Sequence, residues 1–483
     1  MAYTIAMELD KDFCYKALTA HDARFDGVIF VGVSSTGIYC RPVCPAKSPK
    51  YENCTFFRSA AAAERAGYRP CLRCRPELAP GNASVDAVGR LAAAAASAIE
   101  DGALAESSVE ELASILGVSD RHLRRAVERE FGVSPIQLAQ TQRLLTAKRL
   151  LTDTDLSVTE VAFASGFASL RRFNALFKER YRLNPTALRK TVSKTTSDQT
   201  ITCQIAYRPP MDWDSILTFL KHRAMVGVEM VEGDRYMRTA RIGKATGWIS
   251  VSPAPAGARL NVKMSTSLAP ALIPVLARIK RVFDVAANPQ HISEHLGELA
   301  AKNPGLRVPG SFDGFETSLR AILGQQISVR AATTLSCRFA ERFGECIETP
   351  FEELTFLSPT AEQVAAASVE EIRALGLVNA RARTIQCLAQ AVADGSLTLR
   401  PTADVEQTIE SLKALPGIGE WTAQYIVMRA LGWPDAFPHT DLGVYKALNE
   451  TNPKRVLAMA EAWRPWRAYA TMHLWKSLEN TQP

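Results

Sequence analysis

The sequence predicts a multidomain α+β protein. Its 483 residues exceed what one hydrophobic core usually organises, which favours three or four domains. The pattern changes along the chain from a turn-rich segment with several cysteines to a helical segment, then to short strands mixed with helices, and finally to helices. A polar stretch rich in Ser and Thr, TVSKTTSDQT at 191–200, is typical of a linker between two halves.

The composition favours a soluble protein with an anionic partner. Apolar residues make up 47% and charged residues 22%, as in ordinary globular proteins, and the net charge is +7. No run approaches the ~18 apolar residues of a membrane span. The N-terminal stretch is acidic and lacks the apolar core of a secretory signal. We therefore expect a protein of the bacterial cytoplasm, associated with the nucleoid, that does not contact a membrane.

The changes of pattern give the predicted domain boundaries. We expect a small cysteine-containing α/β domain at 1–80, an all-α domain at 84–190, a linker at 191–200, a small α/β subdomain at 201–290 and a mainly helical domain at 291–483.

The first domain contains two close pairs of cysteines. Cys40 and Cys44 form one pair, Cys71 and Cys74 the other, and 26 residues separate the pairs. Two such pairs can place four sulfurs at the corners of a tetrahedron, the arrangement that zinc takes with thiolates at ~2.3 Å. A reducing cytosol favours metal over a disulfide. The six scattered cysteines are expected to be small buried hydrophobes. Spacing alone leaves open whether the zinc site is structural or reactive.

The residues around these cysteines carry a specific resemblance. The segments TGIYCRPVCP and RPCLRCRPE, with the spacing between them, resemble the Ada-type methyl-phosphotriester domain over nearly all of the first 78 residues. The resemblance implies a zinc ion on four thiolates and a methyl transfer from a DNA phosphotriester to Cys40. Methylation would change the charge of the zinc–thiolate cluster from minus two to minus one and so weaken repulsion from DNA. Nearby arginines are expected either to hold phosphates or to remain solvated: Arg41, Arg69, Arg73 and Arg75.

The second domain contains an internal repeat. LASILGVSDRHLRRAVEREFGVSP (112–135) and VAFASGFASLRRFNALFKERYRLNP (161–185) each predict a helix, a glycine turn, a basic helix and a stop at proline. Between residues 117 and 190 there are 14 Lys and Arg against 7 Asp and Glu. Apolar positions at helical spacing are expected to face the core: Leu123, Val127, Phe173, Leu176 and Phe177. Basic positions on the second helices are expected to contact DNA: Arg121, Arg124, Arg125, Arg129, Arg171, Arg172 and Lys178.

Residues 85–190 resemble the AraC-type DNA-binding domain, which implies two helix-turn-helix units and recognition of promoter DNA. The alternative is a helical bundle with a solvated arginine face. Ada continues into an alkylguanine methyltransferase with a Pro-Cys-His-Arg nucleophile, whereas this chain contains no Pro-Cys-His.

The C-terminal half contains LPGIG between two helical stretches, followed by FPHTDLGV at 437–444. Gly417 and Gly419 allow the backbone to approach a phosphate, and the next helix offers its N-terminal N–H groups. With GSFDGFETSLRAILGQQISV and WRPWRAYATMHLWKSLE, these motifs resemble AlkA-type DNA glycosylases (3-methyladenine DNA glycosylase II) of the helix-hairpin-helix superfamily over about 201–477. The resemblance implies hydrolysis of the N-glycosidic bond of alkylated bases.

The resemblance also assigns residues. By its position alone Asp441 is a helix N-cap, and by the resemblance it is the catalytic carboxylate that stabilises an oxocarbenium-like state. Trp421 and Tyr425 share a helix face and are either core or, with Trp475 and Phe219, the pocket for a flipped base. Such aromatic faces attract a cationic alkylpurine by ~0.5–2 kcal/mol.

Departures from related patterns add further expectations. Bifunctional relatives carry a Schiff-base lysine where this chain has Trp421, so no lyase activity is expected. No iron–sulfur cluster is expected, because no cysteine follows Cys387. The residue that fills the gap left by the flipped base is Leu in the best-known pattern, and here the position is Gln326, preceded by Gln325.

The sequence thus predicts a DNA alkylation repair enzyme and adaptive-response regulator. Expected partners are double-stranded DNA with alkylation damage, promoter DNA and RNA polymerase, and the protein is expected to be a monomer. One alternative is a transcription activator whose C-terminal half only clamps DNA. A second alternative is a repair enzyme whose zinc domain is purely structural.

Overall fold

The computed structural model describes residues 9–80, 90–154, 156–190 and 200–479. The chain divides into two compact units. The first contains Met1–Pro209, Ala254–Ala277 and Val285–Ala287, and the second contains Pro210–Pro253, Arg278–Asp284 and Asn288–Pro483. The predicted linker lies outside the described residues apart from Thr200, as do residues 84–89. Small sheets and many helices confirm the predicted multidomain α+β class.

The N-terminal module is a four-stranded sheet with two helices. The elements are α1 (Lys11–Thr19), β1 (Phe30–Val33), β2 (Ile38–Cys40), β3 (Cys54–Phe57), α2 (Ala60–Arg65) and β4 (Arg69–Pro70). The strand order is β3-β1-β2-β4, with β2 and β4 parallel and the other pairs antiparallel. Tyr39 pairs with Pro70, and the Cys71 N–H donates to the Tyr39 carbonyl at 3.0 Å. This register places the two cysteine pairs side by side.

The next part of the chain is helical, as predicted. It contains α3 (Arg90–Glu100), α4 (Ala103–Glu106), α5 (Val109–Ile115), α6 (Asp120–Phe131), α7 (Pro135–Asp153), α8 (Val158–Ala164), α9 (Leu170–Tyr181) and α10 (Pro185–Lys190). Helices α5–α6 and α8–α9 form the two repeats, and their turns contain Gly117 and Gly166 at positive φ. Ser108 and Ser157 begin the first helix of each repeat with a capping box.

The predicted core positions of the second helices are confirmed for four residues. Leu123, Val127, Phe173 and Phe177 are fully buried, whereas Leu176 is only partly buried.

Buried polar contacts join the N-terminal module to the helical domain. The Glu64 carboxylate accepts hydrogen bonds from the Tyr39 hydroxyl at 3.1 Å and from the Thr141 hydroxyl of α7 at 2.9 Å. The Glu77 carboxylate binds the Lys148 ammonium of α7 at 2.6 Å, and both side chains are 1% exposed. Ala61 also belongs to the hydrophobic core of the helical domain. The module and the double helix-turn-helix therefore pack as one body within the first unit.

After the linker the chain forms five strands, namely β5 (Thr200–Ala206), β6 (Glu229–Glu232), β7 (Arg235–Ile242), β8 (Ala245–Pro253) and β9 (Arg259–Ser265). In the first unit β5 pairs antiparallel with β9, and in the second β7 pairs antiparallel with both β6 and β8. The three predicted β-like runs are confirmed as β5, β8 and β9. Strands β6 and β7 were not predicted because β7 buries Arg238 on its inner face, paired with Glu316, which breaks the apolar alternation.

The remainder is mostly helical. It contains α11 (Trp213–Arg223), α12 (Leu272–Val282), α13 (Pro289–Leu296), α14 (Glu298–Ala301), α15 (Gly314–Leu323), α16 (Val329–Phe343), β10 (Glu345–Cys346), β11 (Phe356–Leu357), α17 (Ala361–Ala365), α18 (Val369–Ala374), α19 (Asn379–Ala393), α20 (Val405–Ala414), α21 (Glu420–Ala430), α22 (Leu442–Leu448), α23 (Pro453–Ala460) and α24 (Arg467–Glu479). The hairpin is formed by α20 and α21. Of the helices in the described part of the chain, none has the length and apolar character that a bilayer crossing requires.

The burial of Glu64 predicts a pH-dependent stability. Burial raises the pKa of its carboxyl to about 7, in spite of the hydrogen bonds from Thr141 and Tyr39. Because the folded pKa exceeds the unfolded value of ~4.3, this group's contribution to stability is complete below pH ~4.3 and is lost as the pH rises through about 7. Glu64→Gln should remove that slope and be more stable than the wild type at pH 8, by on the order of 1 kcal/mol.

Hydrogen–deuterium exchange of helix α7 at pH 5.5 and pH 8, corrected for intrinsic rates, measures this effect. Glu52→Gln is the matched control, since Glu52 is an exposed carboxylate of the same module. An unchanged pH slope in Glu64→Gln would contradict the assignment.

Candidate functional sites

The four paired cysteines converge in the N-terminal module. The sulfurs of Cys40, Cys44, Cys71 and Cys74 all lie within 4.8 Å of one another. A tetrahedral site with zinc–sulfur bonds of ~2.3 Å requires sulfur–sulfur distances of about 3.8 Å, so the cluster needs little adjustment to hold the ion. Four thiolates are the donor set that zinc prefers in closed sites. The cluster therefore fits zinc.

Cys40 differs from the other three ligands. It is partly exposed, whereas Cys44, Cys71 and Cys74 are buried. Backbone N–H groups donate to the Cys71 sulfur from Arg73 at 3.3 Å and to the Cys74 sulfur from Arg41 at 3.4 Å. Among the residues that the structure describes, none donates a backbone N–H to the Cys40 sulfur. Cys40 is thus the one ligand of the four that is not buried.

Two of the four arginines expected near phosphate are structural, so that expectation is wrong for them. Arg41 is 3% exposed and binds the Asp26 carboxylate, with Nε at 2.7 Å, and the Cys74 carbonyl at 3.1 Å. Arg75 binds Asp153 of α7 at 2.7 Å. Their charges are neutralised inside the fold because each lies opposite a carboxylate from a distant part of the chain. Of the other two, Arg69 is partly exposed and Arg73 is exposed.

A direct contact joins the zinc ligands to helix α7. The Lys148 ammonium donates to the Cys71 carbonyl at 3.4 Å as well as to Glu77. Arg149 donates to the Glu77 carbonyl. These contacts could not be recognised in the sequence, because Lys148 and Arg149 look like solvated charges on an amphipathic helix.

Most of the basic residues of α6 and α9 that were predicted to contact DNA lie on the surface. Six are exposed, namely Arg121, Arg125, Arg129, Arg171, Arg172 and Lys178. Arg124 is partly buried and pairs with Glu110 at 3.0 Å and Asp120 at 3.1 Å. Binding of DNA through Arg124 would therefore require it to exchange these two carboxylates for phosphate or base.

In the second unit, Asp441 accepts three hydrogen bonds. Its Oδ1 accepts from the Val444 N–H at 3.0 Å and from the Trp475 indole at 2.8 Å, and its Oδ2 accepts from the Trp421 indole at 2.8 Å. The carboxylate is the N-cap of α22 and lies at the positive end of that helix. These donors fix the orientation of the carboxylate.

Gly443 makes this geometry possible. A Cβ at that position would lie 2.9 Å from Oδ1 of Asp441 and 2.9 Å from the Trp475 ring. Helix α24, which carries Trp475, is anchored by Arg467, whose Nε binds the buried Asp435 carboxylate at 2.7 Å. The roles of Gly443 and Arg467 were not predicted from the sequence. The glycine that directly follows Asp441-Leu442 was a signal that could have indicated a close approach.

The four aromatic residues expected at the base pocket form a continuous group around Asp441. The ring of Trp421 is stacked on that of Tyr425 at 5.4 Å, and Tyr425 lies 6.4 Å from Trp475. Phe219 of α11 is nearly parallel to Trp475, with centroids 6.5 Å apart and an interplanar angle of 18°. Trp421 and Trp475 are partly exposed, and Phe219 and Tyr425 are buried.

Positive charge surrounds Tyr425. Burial raises the pKa of its hydroxyl, but the guanidinium groups of Arg429, Arg223 and Arg320 outweigh that effect, so the pKa is lowered from its usual value. Arg429 donates to the Tyr425 hydroxyl at 2.8 Å. None of these three arginines was predicted from the sequence.

The hairpin turn requires one of its two glycines. Gly417 has a φ of +83°, and a Cβ there would lie 2.3 Å from the Thr384 hydroxyl, whereas Gly419 has open space around it. The Gln325 side chain donates to the Gly417 carbonyl at 3.1 Å and to the Thr422 hydroxyl at 2.9 Å. Gln325 therefore braces the hairpin. Gln326 is exposed and has a φ of +54°, a left-handed conformation that is uncommon for a residue with a side chain.

Comparison with known families matches four parts of the chain. Residues 13–77 match the metal binding domain of Ada, and 112–191 match a helix-turn-helix domain. Residues 202–313 match the AlkA N-terminal domain, and 319–467 match the HhH-GPD superfamily of base excision DNA repair proteins.

Three curated relatives cover the chain in whole or in part. A Mycobacterium tuberculosis protein named "Probable bifunctional transcriptional activator/DNA repair enzyme AlkA" is 38% identical over 98% of both chains. DNA-3-methyladenine glycosylase 2 of Escherichia coli is 38% identical over 57% of this chain and 97% of its own length. The bifunctional transcriptional activator/DNA repair enzyme AdaA of Bacillus subtilis is 30% identical over 38% of this chain and 84% of its own length.

The contact between the cysteine cluster and α7 predicts the effect of losing the metal. Purified protein should contain one zinc per chain, and Cys71→Ser should lose it. Structural zinc contributes on the order of 10 kcal/mol in small zinc domains, so the N-terminal module of Cys71→Ser should unfold and the exchange protection of α7 around Lys148 should fall.

Elemental analysis and hydrogen–deuterium exchange test this expectation. Cys346→Ser, which makes the same change at an exposed cysteine, should keep both zinc and protection. A wild type without zinc, or a Cys71→Ser variant with undiminished zinc, would contradict it.

Proposed function

The chain belongs to the family of AlkA-type bifunctional transcriptional activator/DNA repair enzymes, and we propose that it both repairs alkylated DNA and regulates the response to it. The proposed repair activity is hydrolytic release of alkylated bases of the 3-methyladenine class. The proposed regulatory activity combines a methyl-accepting zinc–thiolate site with binding of promoter DNA. The observation that carries the repair proposal is Asp441, a carboxylate held by two indoles of an aromatic group.

Base release would proceed in this site as follows. The alkylated nucleotide leaves the stack and its base enters the group formed by Trp421, Tyr425, Trp475 and Phe219. The C1′–N bond breaks with both electrons leaving on the base, and Asp441 stabilises the positive charge that develops on the sugar. Water then attacks C1′ and loses a proton. Because Asp441 is held by fixed donors, it needs no reorganisation when that charge develops.

We propose that the enzyme is monofunctional. A lyase requires an amine that forms a Schiff base at C1′, and the position where related lyases carry it is the Trp421 indole, which donates to Asp441. The product is then an abasic site in an unbroken strand.

The elements that would hold DNA lie beside this site. The hairpin between α20 and α21 offers the N–H groups at the start of α21 and the open space around Gly419 to a phosphate. Gln325 fixes the hairpin, and the exposed Gln326 is proposed to fill the gap that the flipped base leaves. Its amide can occupy that space and hydrogen-bond to the opposite base.

The methyl-acceptor role is proposed for Cys40. Zinc supplies the chemistry that keeps all four sulfurs as thiolates at neutral pH. In the transfer, the Cys40 sulfur forms a bond to the methyl carbon, the methyl–oxygen bond breaks, and the phosphate departs as an anionic diester. The partial exposure of Cys40, in contrast to the three buried ligands, supports this choice.

The regulatory role is proposed for the exposed basic faces of α6 and α9, which would bind promoter DNA. We further propose that the protein acts as a monomer and that promoter-bound protein recruits RNA polymerase.

The catalytic assignment predicts the behaviour of an isosteric variant. Asp441→Asn should slow release of 3-methyladenine or 7-methylguanine by about 100-fold or more, because the charge opposite the oxocarbenium-like state is lost, while binding to undamaged DNA persists. Asp404→Asn is the matched control, since Asp404 is also an N-cap, on α20, and Asn caps a helix as well as Asp.

Single-turnover release of the base from a duplex with one lesion tests the role of Asp441. Denaturing electrophoresis of the products with and without hot alkali tests whether the enzyme is monofunctional. Strand breaks without alkali would disprove the monofunctional proposal. Undiminished release by Asp441→Asn would disprove the role of Asp441, and no release by the wild type would favour the DNA-clamp alternative.

The methyl-acceptor assignment predicts a site-specific modification. After incubation with DNA carrying methyl phosphotriesters, Cys40 should gain one methyl group and the protein should bind its operator more tightly, because the cluster loses one negative charge. Peptide mass spectrometry locates the methyl group, and the exposed Cys346 serves as the internal control. An unmethylated Cys40 would support the structural-zinc alternative, and equal affinities before and after methylation would refute the switch alone.

A further inference from the structure

A cavity of about 40 Å³ lies beside Tyr425 on the second unit. Its lining includes six charged side chains, namely Arg223, Arg238, Arg320, Arg429, Glu229 and Glu316. Neither the proposed hydrolysis nor the grip on DNA uses this group of residues.

The charges in this lining do not balance. Arg238 forms ion pairs with both carboxylates of the lining, Glu316 at 2.7 Å and Glu229 at 3.4 Å. The hydrogen bonds of the other three arginines go to carbonyl and hydroxyl oxygens. Arg223 donates to the Phe219 carbonyl, and Arg320 donates to the Arg223 carbonyl and the Thr333 hydroxyl. Arg429 donates to the carbonyls of Pro309 and Gly310 and to the Tyr425 hydroxyl. Among the described residues, no carboxylate lies within 4.0 Å of these three guanidinium groups.

This surplus of positive charge is unfavourable for folding. Burial lowers the pKa of both Arg223 and Arg320, which shows that the charged forms are destabilised there. Apolar side chains of similar volume would fill the same space without that cost.

Two of these guanidinium groups cover aromatic rings of the proposed base pocket. The Cζ of Arg223 lies 3.8 Å from the centroid of Phe219, and that of Arg429 lies 4.7 Å from Phe219 and 5.7 Å from Tyr425. The negative faces of these rings already interact with cations. Their attraction for a second cation is accordingly weaker than the sequence alone suggests.

Positive and negative charge lie at the two ends of the aromatic group. Arg223 and Arg429 lie over Phe219, Phe219 is nearly parallel to Trp475, and Trp475 donates to Asp441. Heterolysis moves one unit of negative charge onto the base. A cationic alkylated base departs neutral, whereas an uncharged base departs as an anion and needs stabilisation from nearby positive charge.

We propose that Arg223, supported by Arg320 and Arg429, is a specificity-determining residue that enables release of damaged bases that are uncharged in DNA. This inference rests on the proposed glycosylase function and extends its substrate class. The C1′–N bond breaks, its electron pair stays on the base nitrogen, and water supplies the hydroxyl to C1′ and a proton that neutralises the departed base.

The test compares one cationic and one uncharged base in otherwise identical duplexes, 7-methylguanine and hypoxanthine. Single-turnover release is measured with the full-length protein at saturating concentration. Arg223→Met should slow release of hypoxanthine by about tenfold more than release of 7-methylguanine, and Arg223→Lys should restore most of the difference because it retains the charge. Arg373→Met is the control, since Arg373 is an exposed arginine of the same unit.

Each outcome decides the proposal. If the wild type releases 7-methylguanine but not hypoxanthine, or if Arg223→Met slows both equally, the inference is overturned while the proposed function stands. If the wild type releases neither base, the proposed function itself fails. If thermal unfolding shows that Arg223→Met does not fold, Arg320→Met is judged by the same ratio of rates.

Discussion

The buried ion pair between Glu77 and Lys148 is the contact on which the first unit depends. Glu77 follows the last zinc ligand by three residues, and Lys148 belongs to the long helix between the two helix-turn-helix repeats. Both side chains are almost inaccessible, and removing one partner of such a pair typically costs ~3–5 kcal/mol. Since the same ammonium also holds the Cys71 carbonyl, the backbone of the metal site and the DNA-binding helices share one support. The geometry of the cysteine cluster is thus tied to the packing of the domain that would read DNA.

In the second unit a single carboxylate performs two tasks that the sequence presents as alternatives. Asp441 caps α22 through the Val444 N–H and also accepts both indoles, so the N-cap and the proposed catalytic group are the same residue in the same orientation. A cap fixes only one oxygen lone pair, and the remaining positions accept Trp421 and Trp475. The aromatic residues hold the carboxylate as well as surround the space beside it. For this reason neither tryptophan is simple core packing.

Features that depend on the spacing of residues along the chain were predicted correctly from the sequence. The roles of charged residues that the fold buries were not. Two cysteine pairs, two repeats with glycine turns and a Leu-Pro-Gly-Ile-Gly hairpin are local patterns, and each appears in the fold as expected. Arg41 and Arg75 were expected either to hold phosphate or to remain solvated, because a basic residue near a cysteine motif looks exposed. Their partners, Asp26 and Asp153, lie 15 and 78 residues away in sequence, and only the fold brings them together. The arginines around Tyr425 were missed for the same reason, since α11, α15 and α21 meet only in three dimensions.

Both candidate sites store an unbalanced charge, and the sign differs. The cysteine cluster with zinc carries excess negative charge beside a surface proposed to meet DNA phosphate, whereas Tyr425 is surrounded by excess positive charge. Methyl transfer to a thiolate removes one negative charge, and departure of a base moves one negative charge onto the leaving group. In the first reaction the negative charge that repels DNA phosphate falls by one unit. In the second reaction the positive charge around Tyr425 stabilises the base that departs with the electron pair.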